Sequence, residues 1–144
     1  MSKIHVVYWS GTGNTQAMAE ALRDGVVAGG AECVLQTVSE ANIDDLKNAN
    51  SFALGCSSQG AEVLEESEME PFVTELEGSV SGKNIVLFGS YGWGDGEWMR
   101  NWVDRMKAAG ANVVGGEGII ANEMPDDNAK DDLFATGKQL ASFK

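Results

Sequence analysis

Apolar runs of strand length alternate with stretches of helical periodicity along the whole chain. This alternation is typical of an α/β domain whose helices cover both faces of a mostly parallel sheet. Residues 85–88 are continuously apolar, as expected for a central strand that is buried on both faces. We therefore predict one three-layer α/β domain over residues 1–144. The predicted strands are 4–9, 33–38, 51–56, 85–88 and a fifth at 113–120 that can bend at its internal glycines, and the predicted helices are 17–26, 42–46, 71–76, 98–106 and 127–143.

The chain is strongly acidic, with 22 Asp and Glu residues against 10 Lys and Arg residues and a net charge of −12. This excess argues against a nucleic acid or an anionic membrane surface as a partner. It favours a basic protein partner, because complementary charge speeds encounter. Solubility alone also explains the acidity, and nothing in the sequence requires more than a monomer.

The cysteines and the histidine limit the chemistry further. No run is long and apolar enough to span a bilayer, and the N-terminus lacks the apolar region of a signal peptide. Cys33 and Cys56 lie far apart without CxxC spacing, which predicts reduced, buried thiols in a cytoplasmic protein. His5 is the only histidine and lies inside the first strand, so a Ser-His-Asp hydrolase or a histidine-rich metal site is poorly supported.

A loop of glycines and hydroxyl residues, 10–15, connects the first strand to the first helix. Such a loop directs free backbone N–H groups and the positive end of the helix at one point, which predicts an anion site. The loop has no lysine or arginine, which indicates a phosphate that is held rather than transferred. It also lacks the P-loop and the G-x-G-x-x-G patterns. The alternative is that the glycines serve only the tight turn.

Two further loops follow predicted strands at the same edge of the sheet, where ligands of such folds bind. In the loop 89–96, Tyr91 and Trp93 stand among glycines and are suited to form walls for a flat ligand. Trp98 and Trp102 instead fall on the inner face of the helix that follows, so we expect them in the core. Trp9, at the end of the first strand, suits either a ligand wall or a place in the core. In the loop 57–62, Gly60 allows the Gly60–Ala61 peptide to flip, although an ordinary turn also explains this segment.

Together these segments resemble the short-chain flavodoxins of anaerobic bacteria. The similarity rests on residues 8–15 (YWSGTGNT), 60–67 and 88–96 (FGSYGWGDG), with Asn122, Glu123, Pro125 and Asp126 as further matches, and covers essentially the whole chain. It implies a flavodoxin-like sheet of five parallel strands in the order 2-1-3-4-5 that binds FMN non-covalently. The implied cofactor-binding residues are Trp9, Ser10, Gly11, Thr12, Gly13, Asn14, Thr15, Ser57, Ser58, Gln59, Gly60, Ala61, Glu62, Ser90, Tyr91, Gly92, Trp93, Gly94 and Asn122.

The resemblance also implies a role for each loop. Residues 10–15 would hold the phosphate with help from Ser57 or Ser90, Trp93 would stack on the outer face of the flavin ring, and Tyr91, Gly92 and Gly94 would lie along its edge. Glu62 would accept a hydrogen bond from the flavin N3–H, and the Gly60 carbonyl would turn to accept from N5–H in the one-electron-reduced state. Gln59 departs from the methionine common in related sequences and makes the inner flavin face more polar.

The function implied by the resemblance is that of a low-potential, one-electron carrier that cycles between semiquinone and hydroquinone and substitutes for ferredoxin. Its expected partners are basic reductases and oxidases. Four carboxylates, on Glu62, Glu65, Glu66 and Asp95, are candidates for keeping the lower potential low. The alternative on the same fold is a flavin enzyme or an activase of the ribonucleotide-reductase type. A phospho-acceptor receiver domain is rejected, because the strand ends lack its acidic cluster and lysine.

Overall fold

The computed structural model describes residues 3–11, 13–58, 63–92 and 94–143. Strands and helices alternate through these residues as the apolar pattern predicts. The elements are β1 (Lys3–Trp9), α1 (Asn14–Ala28), β2 (Glu32–Thr37), α2 (Ile43–Lys47), β3 (Ser51–Cys56), α3 (Met69–Leu76), β4 (Asn84–Tyr91), α4 (Glu97–Ala108), β5 (Asn112–Val113), β6 (Ile119–Asn122) and α5 (Asp127–Ser142), with a single 3₁₀ turn at Glu77–Ser79.

The strands form one parallel sheet in the order β2-β1-β3-β4-β5, which confirms the predicted fold class. The predicted fifth strand is not bent but interrupted, and it forms two separate strands. Gly115 and Gly116 both have positive φ, +81° and +78°, so the chain leaves the sheet after β5 and returns as β6. Glycine has no Cβ and adopts this backbone region without strain. Both pieces pair with β4.

Strand β4 extends three residues beyond its predicted end at residue 88. Residues 88–91 pair with β6, so Gly89, Ser90 and Tyr91 belong to the sheet rather than to a loop. The prediction of a loop over residues 89–96 was wrong for these three residues. The continuation depends on pairing with a distant segment, which a local apolar pattern does not show.

Helices cover both faces of the sheet over two apolar clusters. One cluster holds the inner faces of α3 and α4, including Trp98 and Trp102, each 1% exposed, which confirms their predicted place in the core. The other holds α1 and α5, which approach closely. A Cβ on Gly25 would lie 2.0 Å from the Phe134 carbonyl oxygen, so this crossing requires glycine. The contact fixes the axis of α1 and hence the direction of its N-terminus.

Candidate cofactor site

The carboxyl ends of β1, β3 and β4 meet at one edge of the sheet, and hydrogen bonds join residues at or just after these strand ends. Thr15 Oγ1 lies 2.7 Å from Ser57 Oγ, and the Ser90 N–H donates to Thr15 Oγ1 at 3.2 Å. The Ser58 N–H donates to the Ser90 carbonyl at 2.9 Å. The structure therefore brings together Thr15, Ser57, Ser58 and Ser90, which come from the three predicted loops.

The start of α1 has the geometry of an anion site. Gly13, at φ 94°, ends the loop in the left-handed region, and its N–H donates to Ser10 Oγ at 3.0 Å. The N-cap residue of α1, Gly13, has no side chain to cap the helix, and its first turn holds no acidic residue. The N-terminal dipole of a 15-residue helix is therefore not offset by a protein carboxylate. The donors here are neutral, as the sequence predicts.

A cavity of about 190 Å³ adjoins this helix end. Among the residues that the structure describes, seven predicted site residues line it, together with Glu123, which was not predicted. The lining residues are Gly11, Asn14, Ser57, Ser58, Ser90, Tyr91, Gly92 and Glu123. Thr15 is fully buried behind this surface, where its hydroxyl joins Ser57 to Ser90.

Ser90 holds Glu123 in place. The Ser90 hydroxyl donates to the Glu123 carbonyl at 2.6 Å, and the Glu123 N–H donates to the Tyr91 carbonyl at 2.8 Å. Glu123 has φ 59°, a strained region for a residue with a side chain. Because the Ser90 proton is committed to Glu123, Ser57 is the better candidate for donating to a phosphate. Glu123 lies in a segment that carries the resemblance, but its backbone conformation has no signal in the sequence.

Aromatic side chains pack beside the cavity. Tyr91 is half-buried at the end of β4, and its ring centroid lies 5.6 Å from that of Trp98, so its ring is supported by the core. Trp9 is also half-buried and packs on the same apolar cluster. Its ring lies against Gly11, where a Cβ would meet Trp9 Cη2 at 3.1 Å. Trp9 therefore contacts both the core and the first loop.

The predicted site residues on the outer side of this edge are exposed to solvent. Gly92 and Gly94 are exposed, and Gly94 has φ +87°. Asn122 is exposed, and its side-chain amide donates to the Tyr91 carbonyl at 3.4 Å. Several predicted contacts, at Thr12, Gln59, Gly60, Ala61, Glu62 and Trp93, lie outside the described residues, so they stay predictions.

Two of the candidate carboxylates have partners that change their expected effect. Glu65 is 8% exposed and accepts hydrogen bonds from the backbone N–H groups of Ser67, Glu68 and Met69 at 2.6, 2.9 and 3.1 Å. Burial acts to raise the pKa of Glu65, but these N–H groups outweigh it and lower the pKa, so the carboxylate stays charged. Asp95 is exposed and pairs with Arg100 at 3.0 Å, which offsets its field.

Other features of the described residues lie away from this edge or concern other chemistry. A larger cavity, of about 380 Å³, lies between α4 and residues 116–120 and holds none of the predicted site residues. Across the described ranges, no group of three or more His, Cys, Asp or Glu side chains is placed to hold a metal ion. No helix in the described part of the chain is long and apolar enough to cross a membrane. Cys33 and Cys56 are free thiols.

The residues present fit a phosphate-bearing cofactor, because neutral donors, an uncapped helix end and an adjoining cavity share one edge of the sheet. The fold defines a doubly wound α/β protein, and the helix end and cavity at its sheet edge make a candidate anion site of neutral donors. The flavodoxin profile matches residues 6–137. The chain belongs to the flavodoxin family.

Relatives support this assignment over most of the chain. It is 49% identical over 138 residues to a flavodoxin of Clostridium beijerinckii, covering 96% of this chain and 99% of that one. It is 47% identical over 124 residues to a flavodoxin of Megasphaera elsdenii, covering 86% and 89%. The solution structure of two-electron reduced Megasphaera elsdenii flavodoxin superposes with a TM-score of 0.86 at 42% identity, covering 94% of this chain and 98% of that chain.

Membership confirms three predictions made from the sequence. The family binds FMN, so FMN is the cofactor. Flavodoxins transfer electrons between other proteins, so this chain is an electron-transfer protein rather than a flavin enzyme. The resemblance to flavodoxins of anaerobic bacteria is also confirmed.

Proposed function

We propose that this protein is a low-potential, one-electron carrier that cycles between the semiquinone and hydroquinone states of FMN and substitutes for ferredoxin. The observation that carries the proposal is the joining of three strand ends around a neutral anion site by the contacts among Thr15, Ser57, Ser58 and Ser90. Bound FMN supplies the redox chemistry, because its ring system takes up and releases electrons singly. The protein supplies binding, orientation and the electrostatic field.

Residues 10–15 and Ser57 hold the phosphate in this proposal. The α1 dipole and the backbone N–H groups favour a dianion there without a lysine or arginine. A cation at this point would stabilise added negative charge on the cofactor and raise its potential. The neutral donors therefore bind the phosphate while leaving the potential low.

The remaining residues act on the ring. Trp93 would stack on the outer face of the flavin ring, and Tyr91, which packs on Trp98, would lie along its edge with Gly92 and Gly94. Asn122, whose amide donates to the Tyr91 carbonyl, would help to hold that edge. Glu62 would accept a hydrogen bond from the flavin N3–H, and the Gly60 carbonyl would accept one from N5–H when that nitrogen carries a proton. A net hydrogen bond of this kind contributes about 0.5–1.5 kcal/mol, which sets the scale of its effect on the upper potential.

Buried negative charge lowers the second potential. A carboxylate about 10 Å from the ring disfavours an added electron by roughly 1.7 kcal/mol at an effective dielectric near 20, or about 70 mV. Glu65 suits this role, because it is buried and its backbone N–H partners lower its pKa, which keeps the carboxylate charged at neutral pH. Asp95 contributes less because Arg100 pairs with it. The field of several such groups outweighs a single hydrogen bond.

The net charge of −12 suits docking of basic reductases and oxidases, and the carrier acts as a monomer. Free thiols at Cys33 and Cys56 agree with a reducing, cytoplasmic setting.

Comparison of FMN with riboflavin tests the phosphate assignment. Titration of the FMN-free protein should show FMN binding about a hundredfold or more tighter than riboflavin, because a phosphate gains several charge-assisted hydrogen bonds. Ser57→Ala should weaken FMN binding and leave riboflavin binding unchanged. Ser39→Ala, in the turn after β2, is the matched control and should change neither. Equal affinities for the two flavins would refute the assignment.

A further inference from the structure

Strand β6 lies at the border of the sheet and pairs on one side only. It pairs with β4, and no strand in the described part of the chain lies along its other side, which we call the outer side of β6. The Glu123 N–H donates to the Tyr91 carbonyl of β4. Because N–H groups alternate between the two sides of a strand, the N–H groups of Ile120 and Asn122 point to the outer side. An unpaired side of this kind can accept an added strand.

Two cavities flank the outer side of β6, one on each face of the sheet. Ile119 packs on the apolar cluster of α1 and α5, and it lines a cavity of about 310 Å³ together with residues of α5. Ile120 points to the opposite face, where a Cβ on Gly96 would lie 3.0 Å from Ile120 Cδ1, and it lines the cavity of about 380 Å³ beside α4. Successive side chains of an added strand also alternate between the two faces. They would therefore enter the two cavities in turn.

The cavity beside α4 is suited to an aliphatic side chain. Met99 and Val103, which are 3% and 6% exposed, form its floor, and Ile120, 37% exposed, forms one wall. Two acidic and two basic residues also line it, so their charges cancel. Burial of an aliphatic side chain against this floor would be favourable without requiring a charge on the partner.

The cavity beside α5 is suited to a basic side chain. Glu117 and Asp132 line it, and its described lining residues include no Lys or Arg. Neither carboxylate forms an ion pair with another residue that the structure describes. Thr136 and Gln139 add neutral polar groups. A Lys or Arg side chain placed here would meet two carboxylates that have no other cation.

The chain between β5 and β6 holds its shape without a partner. Gly115 and Gly116 have positive φ, and the Gly116 N–H donates to the Val113 carbonyl at 2.9 Å. Lys107 Nζ donates to the Gly116 carbonyl, also at 2.9 Å. Because this segment is already ordered, a partner does not have to supply the free energy to order it.

We infer that the outer side of β6 is a docking surface for an extended segment of a basic partner protein. The segment adds to the sheet as a further strand, with an aliphatic side chain beside α4 and a Lys or Arg side chain beside α5. β6 ends at Asn122, whose amide donates to the Tyr91 carbonyl at the cofactor edge, so a partner docked here lies next to the cofactor. That this partner exchanges electrons with the protein rests on the proposed function.

A hexapeptide of alternating Leu and Lys, acetylated and amidated at its ends, is the probe. It is titrated into the oxidised, FMN-loaded protein, and binding is followed by NMR of the backbone amides. We expect saturable binding that shifts the amides of Ile120 and Asn122 and slows their exchange with solvent. The same peptide with every backbone nitrogen methylated should bind at least tenfold more weakly, because it cannot donate to the strand. Equal affinity of the two peptides, no saturable binding, or shifts that leave Ile120 and Asn122 unchanged would overturn the inference.

Variants of the protein separate this surface from general acidity. Asp132→Asn should weaken binding of the Leu-Lys peptide about two- to fivefold. Asp131→Asn is the matched control, because Asp131 is an exposed carboxylate of α5 outside the cavity lining, and it should change binding less than Asp132→Asn does. Ile120→Pro removes an outward N–H and should weaken binding at least tenfold. Equal effects of the two aspartate variants, or wild-type affinity in Ile120→Pro, would overturn the inference. Since binding is measured in the oxidised protein, it decides on the docking surface even if reduction yields no semiquinone, a result that would refute the proposed function instead.

Discussion

Glu65→Gln replaces one buried carboxylate by an amide of nearly the same shape. The carboxylate accepts one N–H on Oε1, from Ser67, and two on Oε2, from Glu68 and Met69. The amide keeps a single oxygen. Its best orientation leaves that oxygen facing Glu68 and Met69 and turns the NH₂ group against the Ser67 N–H, where two donors oppose each other.

The cost follows from these contacts. Loss of one charge-assisted hydrogen bond costs about 1.5–3 kcal/mol. Removal of the negative charge from the start of α3 costs about 0.3–1 kcal/mol more. We therefore expect Glu65→Gln to lower the free energy of unfolding by about 2–4 kcal/mol at pH 7. Urea unfolding of the FMN-free protein measures this difference.

The effect has a defined pH dependence. The folded-state pKa of Glu65 lies below its ordinary value of 4.5, so the stabilisation is fully present above pH 4.5 and is lost as the pH falls through the folded pKa. Glu66→Gln is the matched control, because Glu66 is exposed on the same turn, and it should stay within about 0.5 kcal/mol of wild type. Equal stabilities of the two variants at pH 7, or a difference that persists in acid, would refute this account of Glu65.

Three further changes probe the edge of the sheet. Gly89→Ala places a Cβ 2.1 Å from the Cys56 carbonyl oxygen, so we expect a loss of about 1–3 kcal/mol in urea unfolding, and wild-type stability would contradict the close approach of β3 and β4. Ser90→Ala removes the hydrogen bond to the Glu123 carbonyl and should cost about 0.5–1.5 kcal/mol; amide exchange at Glu123 should rise with it, and unchanged exchange would show that Ser90 does not hold this residue. Gly60→Ala should lower the semiquinone yield because the flipped peptide becomes strained, whereas an equal yield would remove the flip from the mechanism.

The order of strands and helices follows from the sequence because it depends on local patterns. Apolar periodicity places β1, β3 and α4, and the predicted helix 42–46 matches α2, whose N-cap Asn42 accepts from the Asp44 N–H at 3.0 Å. The neutral first loop predicts an anion site at the start of α1, where the N-cap Gly13 has no side chain to cap the helix, and the binding of an anion there stays a prediction. These features are encoded within a few neighbouring residues.

Features that depend on distant partners could not be predicted in this way. The continuation of β4 through Tyr91 requires pairing with β6, and the sequence around Tyr91 indicates a loop because of its glycines. The conformation of Glu123 depends on the Ser90 hydroxyl, and the contacts of Cys56 depend on Glu65, nine residues further along. Glu65 itself lies in an acidic run, which is typical of a solvated surface. In the structure its carboxylate instead accepts a hydrogen bond from the Met69 N–H at the start of α3.

Stepwise reduction of the purified, FMN-loaded protein tests one-electron transfer most directly. The account predicts a yellow protein that turns blue as the neutral semiquinone accumulates and then loses its colour as the hydroquinone forms at a much lower potential. A spectrum that passes from yellow to colourless without a blue species would show that the two electrons arrive together. That result would contradict the proposed one-electron carrier.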